Sequence, residues 1–204
     1  MTTTKKLVVA VVALSLALVT FAGATLAFLL DESEEVINTF TVGNIEIDLN
    51  ETDVDNDSNT KKNGYKVIPG VTDAKDPTVT VKAKSENCYV YVKVVNNLVI
   101  DGNTVATYTA EADWELVGTA NVGGVVTNLY RYKDVVAYSE ADQKLTPVFR
   151  TVTYSADITL EKINALNGKQ IVAKAYAHQS ANVDVSTANA LACTWAGVTA
   201  VANP

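Results

Sequence analysis

The chain holds one histidine, His178, and two cysteines, Cys88 and Cys193, in 204 residues. So few soft ligands disfavour a zinc or iron–sulfur centre. No H-E-x-x-H occurs, and a single imidazole cannot supply a zinc site built from two histidines and a carboxylate. No G-x-S-x-G elbow occurs either. Cys88 with His178 is the remaining nucleophile–base pair, and nothing local to Cys88 activates its thiol. His178 is read as a satisfied or surface side chain. Positive charge is also scarce: 16 Lys and Arg stand against 23 Asp and Glu, a net charge of −7. An acidic chain repels phosphate backbones, so nucleic acid is not an expected partner. No L-P-x-T-G stands near the C-terminus, so sortase attachment to a cell wall is not indicated. Internal repeats, interdomain linkers and long amphipathic helices are absent from the pattern as well.

Long apolar runs are limited to one, near the N-terminus. Lys5 and Lys6 precede an uncharged stretch from Leu7 to Leu30. Small residues in Ala22-Gly23-Ala24 and Thr25-Leu26-Ala27 offer sites to a signal peptidase, so residues 1–27 read as a signal peptide that begins as an apolar helix. The alternative is an uncleaved anchor, since the stretch is long enough to span a bilayer. Cleavage after Ala27 removes two lysines and no acid, taking the charge from −7 to −9. It also frees a new end, Phe28–Phe40, that is partly apolar and partly acidic. Behind it Ile45, Ile47 and Leu49 alternate with Glu46, Asp48 and Asn50, the two-residue period of a half-buried strand.

Residues 51–64 are polar and Asn/Asp-rich, a loop. Asp53, Asp55 and Asp57 have the D-x-D-x-D spacing that opens a calcium loop. Ser58 stands at the sixth position where an EF-hand has Gly, and Gly64 at the twelfth where it has Glu. No cofactor is expected otherwise; calcium at these three aspartates and a plain solvated loop both remain open.

The rest of the chain alternates strands and turns. Val79 and Val81 share one face. Cys88, Val90, Val92 and Val94 form an inner face, with Tyr89, Tyr91 and Lys93 opposite. Pro69-Gly70, Asp101-Gly102 and Gly123-Gly124 mark turns. Trp114, Leu116, Leu129, Tyr130 and Tyr132 are candidate packing residues, as are Ile171, Ala173, Ala175 and Ala177. A short helical turn ends at Gly168, and Val185–Trp195 has helical character. Many short strands with turn signals point to an all-β, jelly-roll-like antiparallel β-sandwich with short helical insertions, occupying residues 41–204.

Taken in order, Asn38–Gly43 (NTFTVG), Asn44–Asp48 (NIEID), Pro69-Gly70 with Lys75-Asp76-Pro77, Ser85–Val94 (SENCYVYVKV), Tyr130–Lys133 (YRYK) and Ala173–Gln179 (AKAYAHQ) form a family pattern. The chain resembles the TasA/camelysin group of Gram-positive surface proteins, exported with a signal peptide cut by a SipW-type peptidase. The resemblance implies a secreted jelly-roll domain that polymerises into extracellular fibres of a biofilm matrix. In such fibres the N-terminal strand of one subunit adds to the sheet of the next. By that analogy residues 28–40 are the donor segment, with Phe28, Leu29, Leu30, Val36, Ile37 and Phe40 as anchors. The acidic run Asp31–Glu35 departs from an ideal apolar donor. Expected partners are further copies of the chain, joined head to tail, the signal peptidase, and a second fibre subunit or anchor protein. Camelysin has been classed as a metallopeptidase, so the resemblance carries an enzymatic alternative, which the scarcity of histidine opposes. A membrane-tethered adhesin is the third reading, favoured if the leader is retained.

Two cysteines in an exported chain suggest a bridge. Cys88–Cys193 would close a long loop worth about 4 kcal/mol in the entropic model. Two separate buried thiols, acting as small hydrophobes, are the alternative.

Overall fold

A computed structural model describes residues 43–202. The leader, its expected helix and the whole donor segment 28–40 lie outside the described residues. Among the described residues no helix is long and apolar enough to cross a membrane.

The strands follow one another as β1 (Ile47–Asn50), β2 (Thr72–Ala74), β3 (Thr78–Val81), β4 (Cys88–Asn96), β5 (Val99–Ile100), β6 (Asn103–Thr104), β7 (Ala106–Thr107), β8 (Trp114–Val122), β9 (Val125–Tyr132), β10 (Gln143–Lys144), β11 (Thr151–Tyr154), β12 (Ile171–Gln179) and β13 (Thr199–Ala200). A 3-10 turn spans Ile163–Leu166, and one helix, α1, spans Val185–Ala196. Among the described residues every pairing is antiparallel, so this part of the chain is all-β with one helix added. The largest sheet runs β12-β4-β9-β8-β13; two smaller sheets run β1-β3-β10 and β2-β11-β7, and β5-β6 is a hairpin.

Alternation along β4 dictates the layering. Cys88, Val90, Val92 and Val94 are fully buried on one face, against Val79 and Val81 of β3, Val152 and Tyr154 of β11, and Phe149. This is the main core, between the large sheet and the two small ones. The opposite face of β4 is buried too. Tyr89 and Tyr91 lie with Leu129 under Ala188, Ala192, Cys193 and Ala196 of α1. Small residues on the inner side of α1 let it sit close, and Asp184 starts it by accepting from Thr187 N–H at 2.9 Å. Gly197, at φ +69°, ends it.

The turns follow their residues. Asp101-Gly102 and Gly123-Gly124 both hold φ positive at each central position, the primed hairpin geometry, between β5 and β6 and between β8 and β9. Pro69-Gly70 closes a turn in which Val71 N–H donates to Ile68 O at 3.1 Å.

One core expectation is corrected. Trp114 is buried, but Leu116 is 39% exposed. Leu116 keeps the face of Trp114 and lies opposite Tyr130, but it is not part of the main core; the β8–β9 register shifts only after it, between Leu116 and Gly118. Val117, on the opposite face, enters the core under α1, and the irregularity brings Gly118 to that same face. Gly118 then faces the helix directly: a Cβ there would lie 2.6 Å from Val198 Cγ2 and 2.9 Å from Cys193 Sγ. Gly118→Ala is expected to push α1 off the sheet and lower stability by about 1–3 kcal/mol in urea unfolding; an unchanged midpoint would mean that the helix has slack.

Of the two readings of the cysteines, the structure has the separate buried thiols. Both thiols are free and buried, Cys88 in the main core and Cys193 on the inner side of α1, on opposite faces of the large sheet. The sheet itself separates them.

Candidate functional site

Strand order leaves β12 and β1 each at the end of its sheet. Their Cα atoms come within 8 Å of one another, yet among the described residues no ladder joins them. Ordinary sheet neighbours stand about 4.8 Å apart. The side chains these strands send toward the main core are left partly open: Ile45, Ile47 and Leu49 from the β1 side, Ile171, Ala173, Ala175 and Ala177 from β12. Interior residues of the same core, such as Val90 and Val92, are fully buried. Along the seam between β1 and β12 the layer is thus only half-buried, with no strand of the described residues lying over it.

At one end the seam widens into a cavity of about 730 Å³, with Leu49, Val67, Leu98, Ile163 and Ile171 among its apolar walls. Its rim is polar. Lys75 Nζ sits 2.6 and 2.9 Å from the two Glu51 carboxylate oxygens, and both side chains are largely buried. The same ammonium lies 5.4 Å from the Tyr65 ring centroid, a cation–π contact. The Tyr65 hydroxyl, in the same wall, is buried without a hydrogen-bond partner among the described residues. Burial, reinforced by the Glu51 carboxylate, drives its pKa well above the usual phenol range.

Lys61 guards the β1 edge. Its ammonium pairs with Asp48 and donates to Leu49 O at 2.7 Å, covering one outward carbonyl. A lysine on an exposed strand edge is a standard guard against uncontrolled pairing. The expected donor-strand anchors, Phe28, Leu29, Leu30, Val36, Ile37 and Phe40, fall outside the described residues.

Asp53, Asp55 and Asp57 do converge, with one carboxylate oxygen from each within 4.8 Å of the others. Their acceptor capacity is drawn on locally. Asp53 takes the N–H groups of Asn56 and Ser58, each at 2.8 Å; Asp57 takes Asn59 N–H at 2.8 Å; Asp55 takes Gly64 N–H at 2.5 Å. The residues that depart from an EF-hand, Ser58 and Gly64, are thus donors to the cluster, and the acids fold the loop back beside the cavity.

His178 and Cys88 do not form a pair. His178 lies opposite Tyr89 in the β12–β4 register and Gln179 opposite Cys88, so their side chains take opposite faces of the sheet. The imidazole Nδ1 lies 2.8 Å from Gln179 O, and burial pushes the Cys88 thiol up to about 11.

Acid should loosen this scaffold. The Lys61 ammonium holds Asp48 below the usual carboxylate range, Gly64 N–H does so for Asp55, Ala83 N–H for Asp142 and the Ser186 hydroxyl for Asp184. A carboxyl whose folded pKa is depressed contributes stability above its unfolded pKa and loses it as pH falls through the folded value. The thermal midpoint is therefore expected to decline below about pH 4, and Asp184→Asn to decline less steeply than the parent. Equal slopes would remove the cap from the account.

Against this geometry, no family model, no curated protein and no solved structure matches the chain.

Proposed function

We propose that the chain is a secreted structural subunit that polymerises into extracellular fibres of a cell surface or biofilm matrix. Residues 28–40 of one copy add as a strand at the seam between β1 and β12 of the next, whose two edges part to admit it, completing a jelly-roll-like sandwich. One observation carries the reading: two sheet ends face one another with their core-side residues partly uncovered and a cavity between them. A free strand satisfies unpaired edge amides and seats side chains in the openings beside them. A head-to-tail contact of this kind does not close on itself, so it yields a filament. The ordered resemblance to the TasA/camelysin group supports the same conclusion, with a SipW-type peptidase releasing Phe28 as the new N-terminus.

Electron microscopy and sedimentation of the purified chain beginning at Phe28 test the proposal. Filaments above a critical concentration are expected. A monomer at every concentration up to the solubility limit would overturn it.

A further inference from the structure

The cavity beside β1 and β12 inverts the charge of the chain. Fourteen cationic side chains lie beyond residue 42, the sixteen of the chain less Lys5 and Lys6; five of them line this cavity, and among the described residues Glu51 is the one acid that does. The chain as a whole stands at −7. Two of the five are matched, Lys75 by Glu51 and Lys61 by Asp48. Lys62, Lys66 and Lys169 have no carboxylate within ion-pair distance among the described residues, and all three are exposed. Lys62 and Lys66 come from the loop after β1, and Lys169 from the turn before β12. They therefore flank the opening from both sides.

The segment outside the described residues has the complementary pattern. Asp31, Glu32, Glu34 and Glu35 stand between Phe28-Leu29-Leu30 and Val36-Ile37. Neither apolar group alternates, so neither alone selects a pairing register, although a slip of one residue would send every side chain to the other face. Four acids in a strand destined for a buried seam would be costly without cations to meet them.

We infer that Lys62, Lys66 and Lys169 receive the acidic run Asp31–Glu35 of a second copy and so fix the register of the incoming strand. The inference rests on the strand-addition reading and adds its recognition element. The apolar residues on one side of the run then fall on the seam and those on the other reach the cavity's apolar walls, while the acids stay at the wet, cationic mouth. Long-range attraction between the run and the mouth also speeds encounter at low salt. Lys61 gains a second carboxylate partner as it releases the Leu49 carbonyl to the new strand.

Charge reversal with rescue is the test, read as critical concentration for assembly of the chain beginning at Phe28. One variant carries Lys62→Glu, Lys66→Glu and Lys169→Glu; another carries Asp31→Lys, Glu32→Lys, Glu34→Lys and Glu35→Lys; a third combines both sets. At low salt each set alone is expected to raise the critical concentration about tenfold, the worth of three exposed ion pairs, and the combination to recover most of that loss. The differences are expected to shrink near 1 M salt, where screening acts within about 3 Å. Should the reversed lysines misfold by circular dichroism, Lys62→Gln, Lys66→Gln and Lys169→Gln carry the same test with a smaller rise. Assembly of the lysine variants at the parental concentration, or a combination no better than either set, overturns the register reading and leaves strand addition standing. A parent chain that never assembles overturns both.

Discussion

Removing residues 28–40 is expected to abolish polymerisation while leaving the sheets of residues 43–202 intact. The magnitude follows from the anchors. Each large apolar side chain seated fully out of water contributes about 1.5–3 kcal/mol. Six of them lost together exceed the whole free energy of a micromolar association, about 8 kcal/mol. The truncated chain should therefore sediment as a monomer at concentrations where the longer chain is filamentous. Among the described residues Val79, Val90, Val92, Phe149 and Val152 bury one another in the main core. Circular dichroism and the urea midpoint of the monomer are accordingly expected to stay those of a folded β protein. A synthetic peptide of residues 28–40, added in excess, should occupy the seam and cap growth. Filaments from the truncated chain would locate the joining surface elsewhere, for instance at the β13 end of the large sheet.

Lys75→Met is expected to produce the largest loss of stability of any single substitution in the cavity wall. The ammonium and the Glu51 carboxylate are 8% and 14% exposed as side chains, so water cannot replace either partner. Breaking such a pair from one side typically costs about 3–5 kcal/mol, because the remaining charge stays buried and uncompensated. The cation–π contact with Tyr65 is lost in the same step. Removing both charges is different: Glu51→Gln with Lys75→Met is expected to recover much of the deficit, as desolvation of two ions no longer opposes folding. Urea unfolding of the single and double variants decides the matter. A single-variant loss below about 1 kcal/mol would mean that the pair behaves as a solvated surface bridge.

The pair also shows what could and could not be seen in the linear chain. Alternation in Cys88–Val94 exposed the main core, because a two-residue period needs no knowledge of the partner strand. The turns at Asp101-Gly102 and Gly123-Gly124 were equally legible, since their residues accept positive φ. The stretch Val185–Trp195 declared its helix through its small residues. What the helix covers was not legible: alternation alone leaves Tyr89 and Tyr91 free to point outward, and only the packing of Ala188 and Ala192 on them makes a second core. Gly118 carries no local signal, for its role depends on Cys193 and Val198, far along the chain. Cys88 and Cys193 invite pairing on paper, and a sheet stands between them. The cationic mouth was hidden for the same reason, as Lys62 and Lys169 meet the same cavity only after β12 closes against β4. The aspartate cluster was the reverse case: its spacing was obvious, while its use of Ser58 and Gly64 as donors needed the folded loop.

A photo-crosslinking residue at Ile37, in filaments grown from an equal mixture of nitrogen-15 and nitrogen-14 chains, addresses the joint itself. Mass spectrometry of the crosslinked peptides distinguishes a bond between copies from a bond within one. Mixed-isotope crosslinks from Ile37 to β1 or β12 are the predicted result. Crosslinks confined to single-isotope pairs would show each segment lying on its own subunit, and the strand exchange described above would not exist.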